Sequence, residues 1–226
     1  MFFDSFDEIR IINLRNRTDR RATMEKELRR VGLENDPRVQ FFDAFSFPDA
    51  ASFSSKGARG IYFSQLAVLE QAANNSHSVL ILEDDVDFTA AIKDYELKED
   101  WEIFYGGYCA DDPTDLYTSN IVGAHMMGFS ATTIPLLVKY LRSVSFDTIH
   151  PPIDGAYVWF RRAHPEILTV FAKPPLGNQR PSRTDIGELS FYDQLPVLLQ
   201  LASFGRRLKR LFKNTVRRAN YDARLN

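Results

Sequence analysis

An α/β fold with a mostly parallel sheet is the expectation for this chain, and three observations carry it. A short apolar strand at residues 8–14 (E-I-R-I-I-N-L) gives way at Thr18 to a helical pattern, the opening of an α/β unit. A second, almost purely apolar run at residues 78–82 has the composition of a central parallel strand, buried on both faces. The 226 residues, 44% apolar and 26% charged, suffice for one packed domain and exclude disorder, collagen and a disulfide scaffold.

Each element follows in order. Residues 8–14 place apolar side chains at alternating and consecutive positions, with polar residues at once behind them. From Thr18 the period becomes helical: Thr18 or Asp19 supplies a cap, Met24, Leu28 and Val31 recur at spacings of four and three, and Gly32 supplies a left-handed stop. Residues 38–45 (R-V-Q-F-F-D-A-F) read as the second strand. Residues 47–60, with Pro48, Gly57 and Gly60, read as a loop long enough to carry function. Residues 61–75 set Leu66, Leu69 and Ala73 on one helical face before the Asn74-Asn75 stop, and the central strand follows. Residues 102–105 and 121–129 are strands flanking an aspartate-rich polar loop at 110–120. Residues 131–143 form a helix with Leu136, Leu137, Tyr140 and Leu141 inward and Pro135 in its first turn. A further helix is expected at 153–163, a strand at 167–172, an extended Pro- and Gly-containing loop at 173–188, and an amphipathic helix at 190–219.

The single cysteine, Cys109, forms no intrachain disulfide and no cysteine-based zinc site, which fits a reducing compartment. Asp4, Asp7 and Glu8 interrupt the apolar start, so no signal peptide is expected, and no window reaches the length of a membrane span. The expected location is cytoplasmic. Residues 206–226 hold eight Lys or Arg against Asp222 alone, although the whole chain is at −2. Leu208, Leu211, Phe212 and Val216 interleave with these cations as in a helix lying on an anionic membrane surface. Nucleic acid is a weaker partner, because no aromatic platform accompanies the basic residues.

The central strand delivers Glu83, Asp84 and Asp85 at its C-terminal end, the edge where open α/β sheets bind ligands. On an extended or turning backbone Glu83 and Asp85 face one way and Asp84 the other, and two carboxylates sharing a face call for a hard divalent cation between them. An alternative is D-x-D-x-T, read in Asp85, Asp87 and Thr89, the signature of haloacid-dehalogenase-like phosphatases, in which Asp85 attacks a phosphoryl group and Asp87 is the general acid/base.

Three segments together resemble glycosyltransferase family 25, the lipooligosaccharide galactosyltransferase type: I-N-L-R-N-R-T-D-R-R at 12–21, G-x-x-x-S at 60–64, and V-L-I-L-E-D-D-V at 79–86. P-P-I-D-G-A at 151–156 and P-P-L-G-N-Q-R-P-S-R-T-D-I at 174–186 look like the family's C-terminal half. The resemblance implies a GT-A-type, Rossmann-like mixed sheet at residues 1–189 followed by the basic helical tail at 190–226. It also implies inverting transfer of a sugar, galactose above all, from a UDP-sugar, with Mn2+ or Mg2+ under the diphosphate. The acceptor is then a saccharide or glycolipid of lipooligosaccharide or lipopolysaccharide biosynthesis, at the inner membrane face.

The resemblance assigns Asp85 as direct metal ligand, Glu83 as a ligand through water, and Asp84 as a ribose partner. Asn13, Arg17, Asp19 and Arg20 would hold uracil and ribose. Ser64 and Gln65 of the middle motif would contact the nucleotide sugar; there Ile61 and Gln65 replace the family's Cys and His, and Gln65 still donates and accepts hydrogen bonds. Asp154, fixed behind two prolines, is the candidate base. Gln179, Arg183 and Asp185 are expected to close over the diphosphate. His125 and His150 lie nearest these residues among the four histidines. An inactive sugar-nucleotide-binding module is the non-enzymatic alternative.

Overall fold

Strand β1 (Glu8–Asn13) alternates its side chains between two cores, and the sheet inherits that division. The computed structural model describes residues 2–97 and 100–180. In these residues β1, β2 (Val39–Asp43), β3 (Val79–Glu83), β5 (Ile103–Ala110), β6 (Ile121–Phe129) and β7 (Thr169–Phe171) form one sheet in the order β2-β1-β3-β6-β5-β7. Parallel pairing joins β1 to β2, β1 to β3 and β5 to β7, while β6 runs antiparallel to both neighbours. The sheet is therefore mostly parallel with one reversed strand. A separate antiparallel ribbon pairs β4 (Val86–Phe88) with β8 (Gly177–Gln179).

Helices cover both faces, as the expected α/β class requires. Ile9, Ile11, Leu80 and Leu82 face α1 (Thr18–Arg30) and the 3-10 turn Phe2–Ser5, where Met24, Leu28, Phe2 and Phe3 are buried. Ile12, Val79 and Ile81 face the opposite way, with α2 (Lys56–Asn75), α3 (Ile134–Arg142) and α4 (Ile153–Ala163) supplying Leu69, Leu137 and Phe160. The period of two in β1 and β3 is thus what makes three layers. Among the described residues no helix is long and apolar enough to cross a membrane.

Several boundaries differ from the sequence expectation, each for a physical reason. Helix α2 begins at Lys56, inside the expected loop, because the Ser55 side chain accepts a hydrogen bond from the Ala58 amide and caps it. At α1 neither Thr18 nor Asp19 is the cap: Arg17 holds that position with no side-chain hydrogen bond to the helix's first amides, and Asp19 lies in the first turn, where its charge favours the helix dipole. In α3 Leu136 is exposed, and Ile134 joins Leu137 and Leu141 in the core instead. Strand β5 runs on to Ala110, and the extended 173–188 segment contains β8. The expected tail helix at 190–219, the 189/190 boundary, Arg183 and Asp185 lie outside the described residues.

Candidate functional site

The parallel strands β1 and β3 end side by side, with Ile12 paired to Glu83, and this register builds the site. Asn13, the last residue of β1, is buried; its side-chain amide donates to Asp84 Oδ2 at 2.7 Å and to the Arg17 carbonyl at 3.2 Å. Asp84 and Asp85 form the tight turn between β3 and β4. Arg20, in the first turn of α1, reaches across with one nitrogen, Nη1, to Asp84 Oδ1 at 3.0 Å and to Asp85 Oδ2 at 3.1 Å. The adjacent aspartates therefore do not face opposite ways, as an extended backbone would require; the turn brings both onto one guanidinium.

Burial dominates the electrostatics of this turn. Asp85 is 7% exposed, and its pKa is pushed up to about 6 by burial, against the pull of Arg20. Asp85 Oδ1 is buried without a hydrogen-bond partner. Glu83 is raised well above the usual carboxylate range, first by burial and then by the charges of Asp85, Asp154 and Asp84. Asp84, Asp85 and Asp154, from the ends of β3 and α4, thus all lie within electrostatic reach of Glu83.

Asp154 sits at the second position of α4. Its Oδ2 accepts from the Gly123 amide at 2.9 Å and its Oδ1 from the Gly155 amide at 2.8 Å, while burial raises its pKa. Two main-chain donors fix the orientation of this carboxyl and leave each oxygen a further lone pair.

The donors available for a metal are oxygens only. Among the described residues no three His, Cys, Asp or Glu side chains converge to hold an ion. A partnerless buried oxygen on Asp85 beside Glu83 nonetheless fits a hard divalent cation of the kind bound through one or two carboxylates and completed by substrate phosphates and water.

Other expected site residues are placed differently. Ser64 and Gln65 are fully buried and used internally. Ser64 Oγ donates to the Gly60 carbonyl at 2.7 Å and accepts from the Phe45 amide at 2.8 Å. A Cβ on Gly60 would lie 2.6 Å from the Phe45 carbonyl. The G-x-x-x-S motif therefore clips the chain after β2 onto α2, and Ser64 is not presented to a nucleotide. Gln65 accepts from the Tyr157 hydroxyl at 2.7 Å and donates to the Ala124 carbonyl at 3.5 Å, tying α2, α4 and β6 together inside the core.

Arg17 and Asp19 form a forked pair at 2.9 and 2.8 Å on the surface, and Arg17 holds the Asp19 carboxyl well below its usual range. Gln179 is exposed at the end of β8, and its side chain helps hold the Asp85 carboxyl in its charged form. His150 stacks on Phe53 with ring centroids 4.0 Å apart.

The residues of the D-x-D-x-T alternative are engaged with neighbours from the β8 side of the chain. Asp87 is ion-paired with Arg180, and Thr89 donates to the Pro175 carbonyl at 3.0 Å. Two contributors escaped sequence reasoning. Arg180 donates its amide to the Asp85 carbonyl at 2.7 Å, and Gly123, with φ +90°, aims its amide at Asp154. The glycine offered a signal within its strand; the arginine offered none.

No family model matches the chain, and no curated protein matches it in sequence. Among solved structures it is similar to a glycosyltransferase involved in the glycosylation of the major capsid of PBCV-1, at 12% identity and a TM-score of 0.49, covering 81% of this chain and 98% of that one. It is similar to the apo form of the glycosyltransferase GlyE of Streptococcus pneumoniae TIGR4 at 11% identity and a TM-score of 0.45, covering 78% of this chain and 55% of that one. The CTP:phosphocholine cytidylyltransferase LicC of Streptococcus pneumoniae is similar at 13% identity and a TM-score of 0.41, covering 81% and 97% respectively. These are distant likenesses in chain trace, and the chemistry of this chain is carried by its own residues.

Proposed function

We propose that this chain is an inverting glycosyltransferase that moves a sugar, galactose on the resemblance of its motifs, from a UDP-sugar to a saccharide or glycolipid acceptor. The observation that supports this most is the Asp84-Asp85 turn at the end of β3, clamped by Arg20 and Asn13 and carrying one buried carboxylate oxygen without a partner. That turn lies within V-L-I-L-E-D-D-V, and its clamp within I-N-L-R-N-R-T-D-R-R.

Asp85 would hold a divalent ion directly, with Glu83 contributing through water. When bound, such an ion supplies positive charge to the departing diphosphate. Asn13 and Arg20 fix Asp84, whose remaining lone pairs accept from ribose hydroxyls. Asp154 takes the proton of the acceptor hydroxyl; its raised pKa brings it toward the range in which a carboxylate exchanges protons efficiently. The freed oxygen attacks the anomeric carbon on the face opposite UDP, which leaves with inverted configuration at carbon. The basic 206–226 segment fits an acceptor presented on an anionic membrane.

Calorimetric titration of UDP, first with Mn2+ and then with EDTA, tests the reading. Micromolar binding that requires the metal and is lost in Asp85→Ala is the expected result. Equal binding with and without metal, or none in either condition, overturns it.

A further inference from the structure

Strand β6 carries an irregularity at the edge of the site. Its pairing with β5 shifts register between Tyr105, Gly107 and Cys109, and Gly123 stands at φ +90° in the shifted stretch. His125, two residues on, is 3% exposed, yet its Nδ1 has no partner. Its Nε2 lies 3.2 Å from the Gly177 carbonyl in β8. A carbonyl only accepts, so Nε2 carries the proton and Nδ1 is bare.

The space for the ring is cut out by glycines. A Cβ at Gly107 would collide with the imidazole and lie 2.8 Å from the Gly177 carbonyl. A Cβ at Gly123 would lie 3.0 Å from Nδ1, in a backbone conformation that side chains rarely adopt.

From this cradle contacts run both ways. On one side, the Gly123 amide holds Asp154 Oδ2 at 2.9 Å. On the other, β8 pairs Gly177 with Phe88 and Gln179 with Val86, and the Arg180 amide reaches the Asp85 carbonyl at 2.7 Å. The candidate base and the candidate metal ligand sit at opposite ends of one line of contacts, with His125 in its middle.

We propose that His125 and Gly123 are positioning residues: the bulge of β6 fixes Asp154 while the His125–Gly177 hydrogen bond pins β8 beside Asp85, setting base and ligand at a constant separation. The consequence for UDP rests on the glycosyltransferase reading; the mechanical link does not. Burial lowers the imidazole pKa and keeps it neutral, consistent with a single donor aimed at Gly177.

The test uses the full chain with His125→Leu, which fills the cradle without a donor, and His125→Gln, whose amide nitrogen restores one near the Nε2 position. Amide hydrogen exchange is measured by NMR without ligand. The expected result for His125→Leu is exchange about tenfold faster at Arg180, restored in His125→Gln. UDP titration in Mn2+ is then expected to be about tenfold weaker in His125→Leu and near normal in His125→Gln, with both variants folded by circular dichroism.

Unchanged exchange at Arg180 in a folded His125→Leu protein overturns the link. Faster exchange with wild-type UDP affinity overturns the positioning role. If His125→Leu does not fold, His125→Gln against His125→Asn, whose shorter amide falls short of Gly177, makes the same comparison. If the wild type binds no UDP, the functional reading fails, and the exchange arm still decides the link between β6 and β8.

Discussion

Asp85 is held where its own charge is disfavoured, and its folded-state pKa of about 6 stands above the ordinary 3.8. Between those values the folded chain binds more protons than the unfolded one, so this group's contribution to stability falls as pH rises through the window. In EDTA, Asp85→Asn is therefore expected to raise the melting temperature at pH 7.5, by on the order of 2 kcal/mol in stability, and to leave it unchanged at pH 4. A thermal melt at each pH checks this; a destabilised variant at pH 7.5 contradicts it. Protons also compete with a cation at this carboxylate, so UDP affinity in Mn2+ is expected to weaken as pH drops below about 6. Asp154→Asn should leave UDP affinity intact and lower turnover by about 10²- to 10⁴-fold, measured as UDP release with a saccharide acceptor. At this scale the acidic turn was legible, because three acids behind an apolar strand occupy the end where ligands gather. The burial of Gln65 was not legible, since nothing in a helical pattern says which polar side chain turns inward to meet Tyr157.

The elements were most legible where periodicity was strong. Helix α4 begins and ends where its pattern does, at Ile153 and Ala163, and β6 spans the expected 121–129 stretch. Helix α2 begins earlier than its composition indicates because Gly57 and Gly60 look like loop residues, whereas Gly60 is required by the close pass of the Phe45 carbonyl. Gly60→Ala is accordingly expected to cost about 1–3 kcal/mol, read from urea unfolding, because the obstructing atom is main chain and cannot rotate away. A variant within about 0.5 kcal/mol of the wild type would show that the 44–55 segment yields freely. Strand β8 carried no local signal: three residues, Gly177–Gln179, acquire strand geometry only by pairing with β4, some ninety positions earlier. Long-range pairing of this kind is set by tertiary packing and escapes any window of sequence.

At the level of the molecule, apolar runs announced parallel strands but not that β6 runs against its neighbours. The charge asymmetry was plain in the sequence, and it carries a prediction of its own. The full chain is expected to sediment with phosphatidylglycerol vesicles, to release as salt rises, and to ignore phosphatidylcholine vesicles, with about 1 kcal/mol contributed per basic residue at the surface. Equal recovery with both lipids would remove the membrane from the account. The reversal of β6 has a further consequence. Because β5 and β6 form a hairpin, residues 111–120 emerge at the same rim as the acidic turn rather than beneath the sheet. Arg161 braces that hairpin loop from α4, bonding the Leu116 and Ser119 carbonyls. Leu116 and Ser119 anchor this segment by their burial, and the exposed residues around them can change their side chains without disturbing either core, which gives the fold a place to vary what it recognises.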